Sequence, residues 1–529
     1  MVIDRTALVQ TAKNTHFDIL IIGGGATGAG IALDAASRGL KTLLVEKQDF
    51  SQGTSSRSTK LVHGGVRYLE QAVKRFDRSQ FRLVQHALKE RALLLQNAPH
   101  LAQPLALLTP IYNTLEVPYY FSGLKLYDML AGRANLHPSR LLGSKEATTT
   151  FPMLKAKGLR GAVLYYDGQF DDARMNVALI RTAINEGATC LNRTELTAFA
   201  KNVAGNLTGG TVRDLESGET YDVTATAVIN ATGPFCDAIR EIDEPGTPHI
   251  VKASSGVHIV LGPEFSPPET GLLIPKTEDD RVLFLLPWHG HTVIGTTDNP
   301  APVSEDPQAT EDEVDYILRH VQKYFDLPVS KSDVLATWSG LRPLVDPEGL
   351  AKAQHHASNG KGGTTAALSR DHTLLTSASG LLTITGGKWT TYRHMAEEAV
   401  DMAVKQHAFT GISECRTEHL RLLGAPTSND PSTAELAAEY GISEATAAHL
   451  LAHYGSEAPI LAGLAQDGYG AQLAPNHPTI EAEAVFALQY ELASSADDIL
   501  ARRTRLAFLD EAAANAARAR VEALVHELR

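Results

Sequence analysis

The stretch that most restricts what this chain can fold into is FDILIIGGGATGAGIALDAASRGLKTLLVE, residues 17–46. The apolar run at 17–22 reads as a buried strand, ATGAGIALDAASRGL has helical spacing, and KTLLVE returns to strand character. A β-α-β unit follows, with Gly23, Gly24, Gly25, Ala26, Thr27 and Gly28 at its first turn. Glycines there let the backbone turn tightly and approach a pyrophosphate, and the next helix presents its N-terminus to the negative charge. Glu46 lies 21 residues past Gly25, where a carboxylate accepts from ribose hydroxyls and repels a 2′-phosphate. The unit therefore predicts a bound dinucleotide, nicotinamide or flavin.

Three features choose the flavin. AVINATGPFCD, containing Thr232 and Gly233, reads as a strand that returns to the dinucleotide site. ITGGKWTTYRHMAEEAV places Gly386, Gly387 and Lys388 ahead of a helix whose N-terminus suits flavin carbonyls, with Thr390 and Thr391 as capping or flavin-contacting hydroxyls. No second glycine fingerprint with strand context appears, as an enzyme with two dinucleotides would require. FAD is the expected cofactor. A third polar segment, GTSSRSTKLVHGGVRYLEQ, is too hydrophilic for core, and its Thr54, Ser55 and Ser58 are assigned to the cofactor.

At 529 residues the chain exceeds what one hydrophobic core serves. The expected class is α/β: a Rossmann-like FAD-binding domain, an antiparallel-sheet substrate domain and a helical C-terminal domain. The oxidoreductase region spans 17–411, with FAD-binding parts at about 17–100, 160–245 and 365–411, and a substrate or cap part at about 101–159 and 246–345. Residues 346–366, rich in Gly, Ser, Asn and Lys, read as a flexible insertion, and their GKGGTT lacks P-loop spacing. Alanine-rich amphipathic sequence fills 412–529 and contains RRTRLAF at 502–508, a basic segment expected to face solvent or the neighbouring domain. The formal charge of -13 argues against a nucleic-acid binder. Three scattered cysteines give neither a disulfide framework nor a metal site, and no apolar stretch is long enough to span a bilayer. VPYYFSGLKLYDMLAG, 117–132, is a core helix or a surface for contact with lipid.

With WSGLRPL, LSRDHTL, TGGKWTTYR and LVHGGVRYL in order, the chain resembles the FAD-dependent, respiratory, quinone-linked glycerol-3-phosphate dehydrogenases. YYDGQFDDARMN, SSGVHIVL and RRTRLAFL are closer to the mitochondrial type, and that type's calcium-binding extension, and with it calcium activation, is not expected here. The resemblance implies oxidation of sn-glycerol 3-phosphate to dihydroxyacetone phosphate, hydride transfer to FAD and a membrane quinone as acceptor. It assigns Arg67, Tyr68, Arg342, Arg370 and Lys388 to the substrate. Three guanidiniums suit a phosphate dianion because their forked donors match its oxygens. His258 and His63 are rival bases for the C2 hydroxyl, with His258 preferred, while Lys388 and Arg342 complete the catalytic set. It further implies peripheral attachment to the cytoplasmic face of an inner membrane, or to the mitochondrial inner membrane in a eukaryote, with homo-oligomerisation open. An oxidase passing electrons to oxygen and a non-catalytic flavin-binding scaffold or sensor stay open as alternatives.

Overall fold

The computed structural model describes residues 2–65, 78–279, 281–358 and 372–529. Strand β1 (His16–Ile22) leads through the glycine turn into helix α1 (Ala26–Ser37), and β2 (Thr42–Val45) follows. Further along come β3 (Gly161–Phe170), α2 (Asp172–Asn185), β4 (Thr220–Asn230), β5 (Val251–Leu261), β6 (Ala336–Val345), β7 (Leu382–Gly386) and α3 (Tyr392–His407).

Among the described residues, one sheet runs in the spatial order His372–Thr376, β7, β4, β1, β2, Thr189–Leu191. The pairs β7–β4, β4–β1 and β1–β2 are parallel. β1 is apolar from Ile19 to Ile22 because its two faces enter different cores. Ile19 and Ile21 pack with Ala29 and Ala32 of α1 and with Ala396 and Ala399 of α3. Leu20 and Ile22 pack instead with Leu43, Val45 and Val228. Burial on both faces is what parallel strands in layered α/β folds show.

The second sheet is mainly antiparallel and includes β5, β6, His291–Gly295, Leu283–Trp288, Thr270–Ile274, Ala102–Ile111 and β3. The register of β5 on β6 extends from Val251 opposite Val345 to Val260 opposite Ala336. Two expectations shift here. β3 pairs along its whole length with Ala102–Ile111 of this second sheet rather than with the dinucleotide sheet. Residues Pro347–Ser358, expected to be a flexible insertion, form a helix in which Leu350 and Ala353 are buried against Ile250 and Leu375. The remainder of that insertion, 359–366, lies outside the described residues.

The C-terminal part is helical, with Thr433–Tyr440, Glu444–Tyr454, Glu481–Tyr490 and Glu511–Leu528 around two small apolar cores. The basic segment does not face solvent: Arg502, Arg503 and Arg505 are buried against the dinucleotide-sheet part of the chain.

Candidate active site

The cleft forms where the C-terminal ends of β1, β2, β4 and β7 meet the polar segment after β2, the position at which open α/β sheets bind ligands. It has a volume of about 400 Å³ and is lined by Gly23, Gly25, Ala26 and Thr27, by Glu46, and by Ser51 through Ser55. Thr232 and Gly233 after β4, and Gly386, Gly387 and Lys388 after β7, complete much of the wall. Three sequence segments far apart in the chain are thus brought together at one cleft, as the glycine patterns required.

The local chemistry suits a dinucleotide. A Cβ on Gly28 would stand 1.9 Å from the Gly23 carbonyl oxygen, so α1 starts this close to β1 only with glycine there. α1 has no side-chain cap at its Gly25 N-cap, which leaves first-turn donors other than the Ala26 N–H to a ligand. Ala26 N–H donates to Ser55 Oγ at 2.9 Å. Glu46 accepts from Gly24 N–H at 2.7 Å and from Gln48 N–H at 2.8 Å. Burial pushes its carboxyl up and those backbone donors oppose the shift. Each carboxylate oxygen keeps a second lone pair for a ribose hydroxyl.

Other assigned residues stand just behind this wall. Gly24 packs against Phe50 and Glu46. Thr54, itself part of the wall, donates from Oγ1 to the Leu341 carbonyl at 2.6 Å, tying the segment to β6. Thr390 Oγ1 accepts from His63 N–H at 3.1 Å, and Thr391 Oγ1 donates to the Lys388 carbonyl at 3.2 Å. Ser58 is placed differently from the expectation: both its N–H and its hydroxyl donate to Asp172 Oδ2, at 3.0 and 2.7 Å, and it is absent from the cleft lining. Arg67, Tyr68 and Arg370 lie outside the described residues.

Arg342 leaves β6 beside Pro343, which lines the cleft. Its Nη1 donates to Asp298 Oδ1 at 3.1 Å and its Nη2 to Thr296 Oγ1 at 3.2 Å and the Thr297 carbonyl at 3.1 Å. The Arg342 and Asp298 side chains are 33% and 46% exposed, so this ion pair is screened and weak, and exchanging the carboxylate for another anion costs little.

The two histidines occupy different surroundings. His258 on β5 stacks on Trp338 with ring centroids 5.1 Å apart, and its Nε2 meets Thr59 Oγ1 at 2.9 Å. Burial drives its pKa well below the usual histidine value, and the positive charges of Lys60 and Arg342 push the same way. His63 accepts from Gly65 N–H at Nδ1, 3.1 Å away. Burial, then the charges of Lys388 and Arg91, bring its pKa down to about 3. Both imidazoles are neutral near pH 7, and their surroundings make each a weaker base than a free imidazole. For His63 the proton linkage is explicit. Unfolded, the group titrates near 6.5 and folded near 3, so the unfolded chain binds more protons between those values. The contribution to stability is complete above about pH 6.5 and is lost as pH falls toward 3. The His63→Gln variant is expected to show a shallower loss of stability across that window in urea unfolding followed by tryptophan fluorescence.

Sequence reasoning missed the polar layer beneath the site. Lys60 is fully buried, donating to Asp172 Oδ2 at 2.8 Å and to the Ser56 carbonyl at 2.8 Å, with its ammonium 5.1 Å from the ring centroids of Trp288 and Trp338. Burial lowers its pKa to about 7 although Asp172 opposes the shift. It also missed Thr194, Tyr392 and Met395 of the lining. Thr194 follows a short strand that carries no motif, and the other two sit on the buried face of an ordinary amphipathic helix.

A family model described as FAD dependent oxidoreductase matches residues 18–393, and a model described as the C-terminal domain of alpha-glycerophosphate oxidase matches 415–528. A probable mitochondrial glycerol-3-phosphate dehydrogenase of Caenorhabditis elegans is 47% identical over 521 residues, covering 97% of this chain and 70% of the relative. The chain belongs to the FAD-dependent glycerol-3-phosphate dehydrogenase family. The mitochondrial glycerol-3-phosphate dehydrogenase of Arabidopsis thaliana is 45% identical over 545 residues, covering 99% of this chain and 85% of that protein. Among solved structures, the glycerol-3-phosphate dehydrogenase of Bacillus halodurans complexed with FAD superposes with a TM-score of 0.79 at 29% identity, covering 99% of this chain and 92% of that one. The L-alpha-glycerophosphate oxidase of Mycoplasma pneumoniae, at 16% identity and a TM-score of 0.57, shares the fold. As a member of this dehydrogenase family the chain is an enzyme, and its cofactor is FAD.

Proposed function

We propose that this dehydrogenase oxidises sn-glycerol 3-phosphate to dihydroxyacetone phosphate and delivers the electrons to a membrane quinone. The observation that carries the substrate assignment is the position of Arg342, beside the cleft that Lys388 lines, on an exposed and weak partner. A phosphate dianion offers that guanidinium two parallel charge-assisted hydrogen bonds in place of the single Asp298 contact. By family resemblance, Arg67, Tyr68 and Arg370 complete the phosphate site. The cofactor-binding part, the antiparallel substrate part and the helical C-terminal domain then divide the work as 17–411 and 412–529.

FAD bound in the cleft supplies a two-electron acceptor for the hydride that leaves C2. The C2 hydroxyl proton is taken by His258, which is neutral and whose Nε2 already holds the Thr59 hydroxyl. Lys388 offsets the negative charge that develops at the substrate oxygen. His63 is held to Thr390 through its backbone N–H. If this division of roles holds, His258→Gln lowers kcat steeply with little change in KM, and His63→Gln does not; the reverse pattern exchanges the two assignments.

The acceptor side rests on helix Val117–Ala131 and the turn before it. Leu124 and Tyr127 point into the core while Leu115, Met129 and Tyr119 are 85%, 76% and 45% exposed. No helix among the described residues is long and apolar enough to cross a membrane, so contact is peripheral in this proposal, with that apolar ridge set into the lipid boundary. Leu115→Glu combined with Met129→Glu should abolish co-sedimentation with phospholipid vesicles while leaving FAD bound. To test the acceptor, substrate-reduced protein is mixed with a ubiquinone analogue or with dissolved oxygen. Reoxidation by the quinone should be much the faster; rapid oxygen consumption with stoichiometric peroxide would establish an oxidase instead.

A further inference from the structure

The wall of the FAD cleft formed by Ser51 to Ser55 is an irregular segment with a single 3-10 turn at Thr54–Ser56 and a left-handed residue at Ser51, φ 68°. Ordering such a segment costs backbone entropy, so something must hold it in shape. Its two ends are gripped by the buried arginine turn of the C-terminal part.

At the first end, Asp49 takes a forked pair from Arg503, Nη1 to Oδ2 at 2.8 Å and Nη2 to Oδ1 at 2.9 Å, together with Arg502 Nε at 2.5 Å and Asn192 Nδ2 at 3.1 Å. Burial alone would push the Asp49 carboxyl up, but the two guanidiniums hold it well below the ordinary range. The Asp49 carbonyl in turn accepts from Gln52 N–H at 3.2 Å, and Ser51 N–H donates to the Gly24 carbonyl at 3.2 Å, which links the anchored carboxylate to the lining and to the glycine turn. At the second end, Arg505 Nη2 and Lys60 Nζ both donate to the Ser56 carbonyl, at 2.9 and 2.8 Å. Asp172 answers both cations, and Arg502 continues to Asp498, which also receives Arg193 Nη2 at 2.6 Å. Neither Asp49 nor any of the three arginines lines the cleft.

We propose that the Arg502–Arg505 turn is a positioning element for FAD: by clamping Asp49 and Ser56 it presets the cleft wall between them, so cofactor affinity depends on helical-domain side chains that never reach the cofactor. Presetting a binding segment raises affinity by removing an ordering cost from the binding step. Once FAD is bound at saturation it orders the wall itself, and turnover is then insensitive to the clamp.

The test uses the full chain, stripped of flavin and titrated with FAD by fluorescence quenching. Arg503→Lys and Arg502→Lys both keep the charge; the first loses the fork on Asp49, and the second loses the bridge from Asp49 to Asp498. Arg181→Lys breaks a comparable pair between α2 and the helical part, Arg181 to Glu457 at 2.5 Å, which touches no residue of the wall. The expected result is an FAD Kd raised by about tenfold or more in Arg503→Lys, a change equivalent to roughly 1.4 kcal/mol, and raised in Arg502→Lys as well. Alongside this, kcat at saturating FAD and KM for substrate should match the parent, and Arg181→Lys should bind FAD as the parent does. Should Arg503→Lys fail to fold, Arg502→Lys decides alone. Parental FAD affinity in the folded clamp variants, or equal weakening in Arg181→Lys, would overturn the proposal and leave the turn a structural contact.

Discussion

Gly28→Ala is expected to give a folded chain that retains almost no FAD. The methyl carbon would stand 1.9 Å from the Gly23 carbonyl oxygen, and that atom is backbone in the turn itself, so no side chain can yield. Either α1 retreats from β1 or the turn opens, and both move the uncapped first turn of α1 away from the place where it meets the dinucleotide phosphates. A strain of about 1–3 kcal/mol placed on the bound geometry translates to roughly a tenfold to hundredfold loss of affinity. The ratio of flavin to protein absorbance after purification, followed by titration with added FAD, measures it. The far-ultraviolet circular dichroism should remain close to that of the parent, because the core on the other face of β1, around Leu20 and Ile22, is untouched.

Arg342→Ala should leave FAD binding intact and raise KM for glycerol 3-phosphate by about tenfold to a hundredfold, since hydrogen bonds to a charged group are worth roughly 1.5–3 kcal/mol. Loss of Arg342 removes four donor contacts around Asp298, Thr296, Thr297 and Ser255, but these are partly exposed and water replaces them. Arg342→Lys should recover only part of the affinity, because a single ammonium cannot present the fork. Steady-state kinetics with glycerol 3-phosphate, compared with glycerol as a substrate lacking the phosphate, separates the two contributions. The variant should lose its discrimination between the two in proportion to its rise in KM.

The dinucleotide half of the site was legible because its chemistry is carried by local sequence. A strand buried on both faces, a turn that tolerates only glycine and a carboxylate at the next strand end form one contiguous signal. Gly386, Gly387 and Lys388 could be read in the same way, since Gly386 and Gly387 have φ of 81° and 70°, where glycine is favoured. The layer behind the site was not legible. Lys60 looked like one more polar residue in a hydrophilic segment, and only the fold reveals it sealed between Trp288, Trp338 and Asp172. Ser58 was read as a cofactor hydroxyl by its place in that segment, yet Asp172 lies 114 residues away and claims it. The arginines at 502–505 are highly polar in sequence, and their burial depends on carboxylates more than 300 residues distant. β3 reads equally well for either sheet, because a strand's own residues do not name its partner.

Anaerobic titration of the FAD-loaded chain decides whether glycerol 3-phosphate is oxidised at this cleft by the FAD bound there. Adding sn-glycerol 3-phosphate should bleach the absorbance of the oxidised flavin with one equivalent of dihydroxyacetone phosphate formed, and glycerol at the same concentration should leave the spectrum unchanged. A correctly folded, fully loaded sample whose flavin stays oxidised under glycerol 3-phosphate would contradict the account.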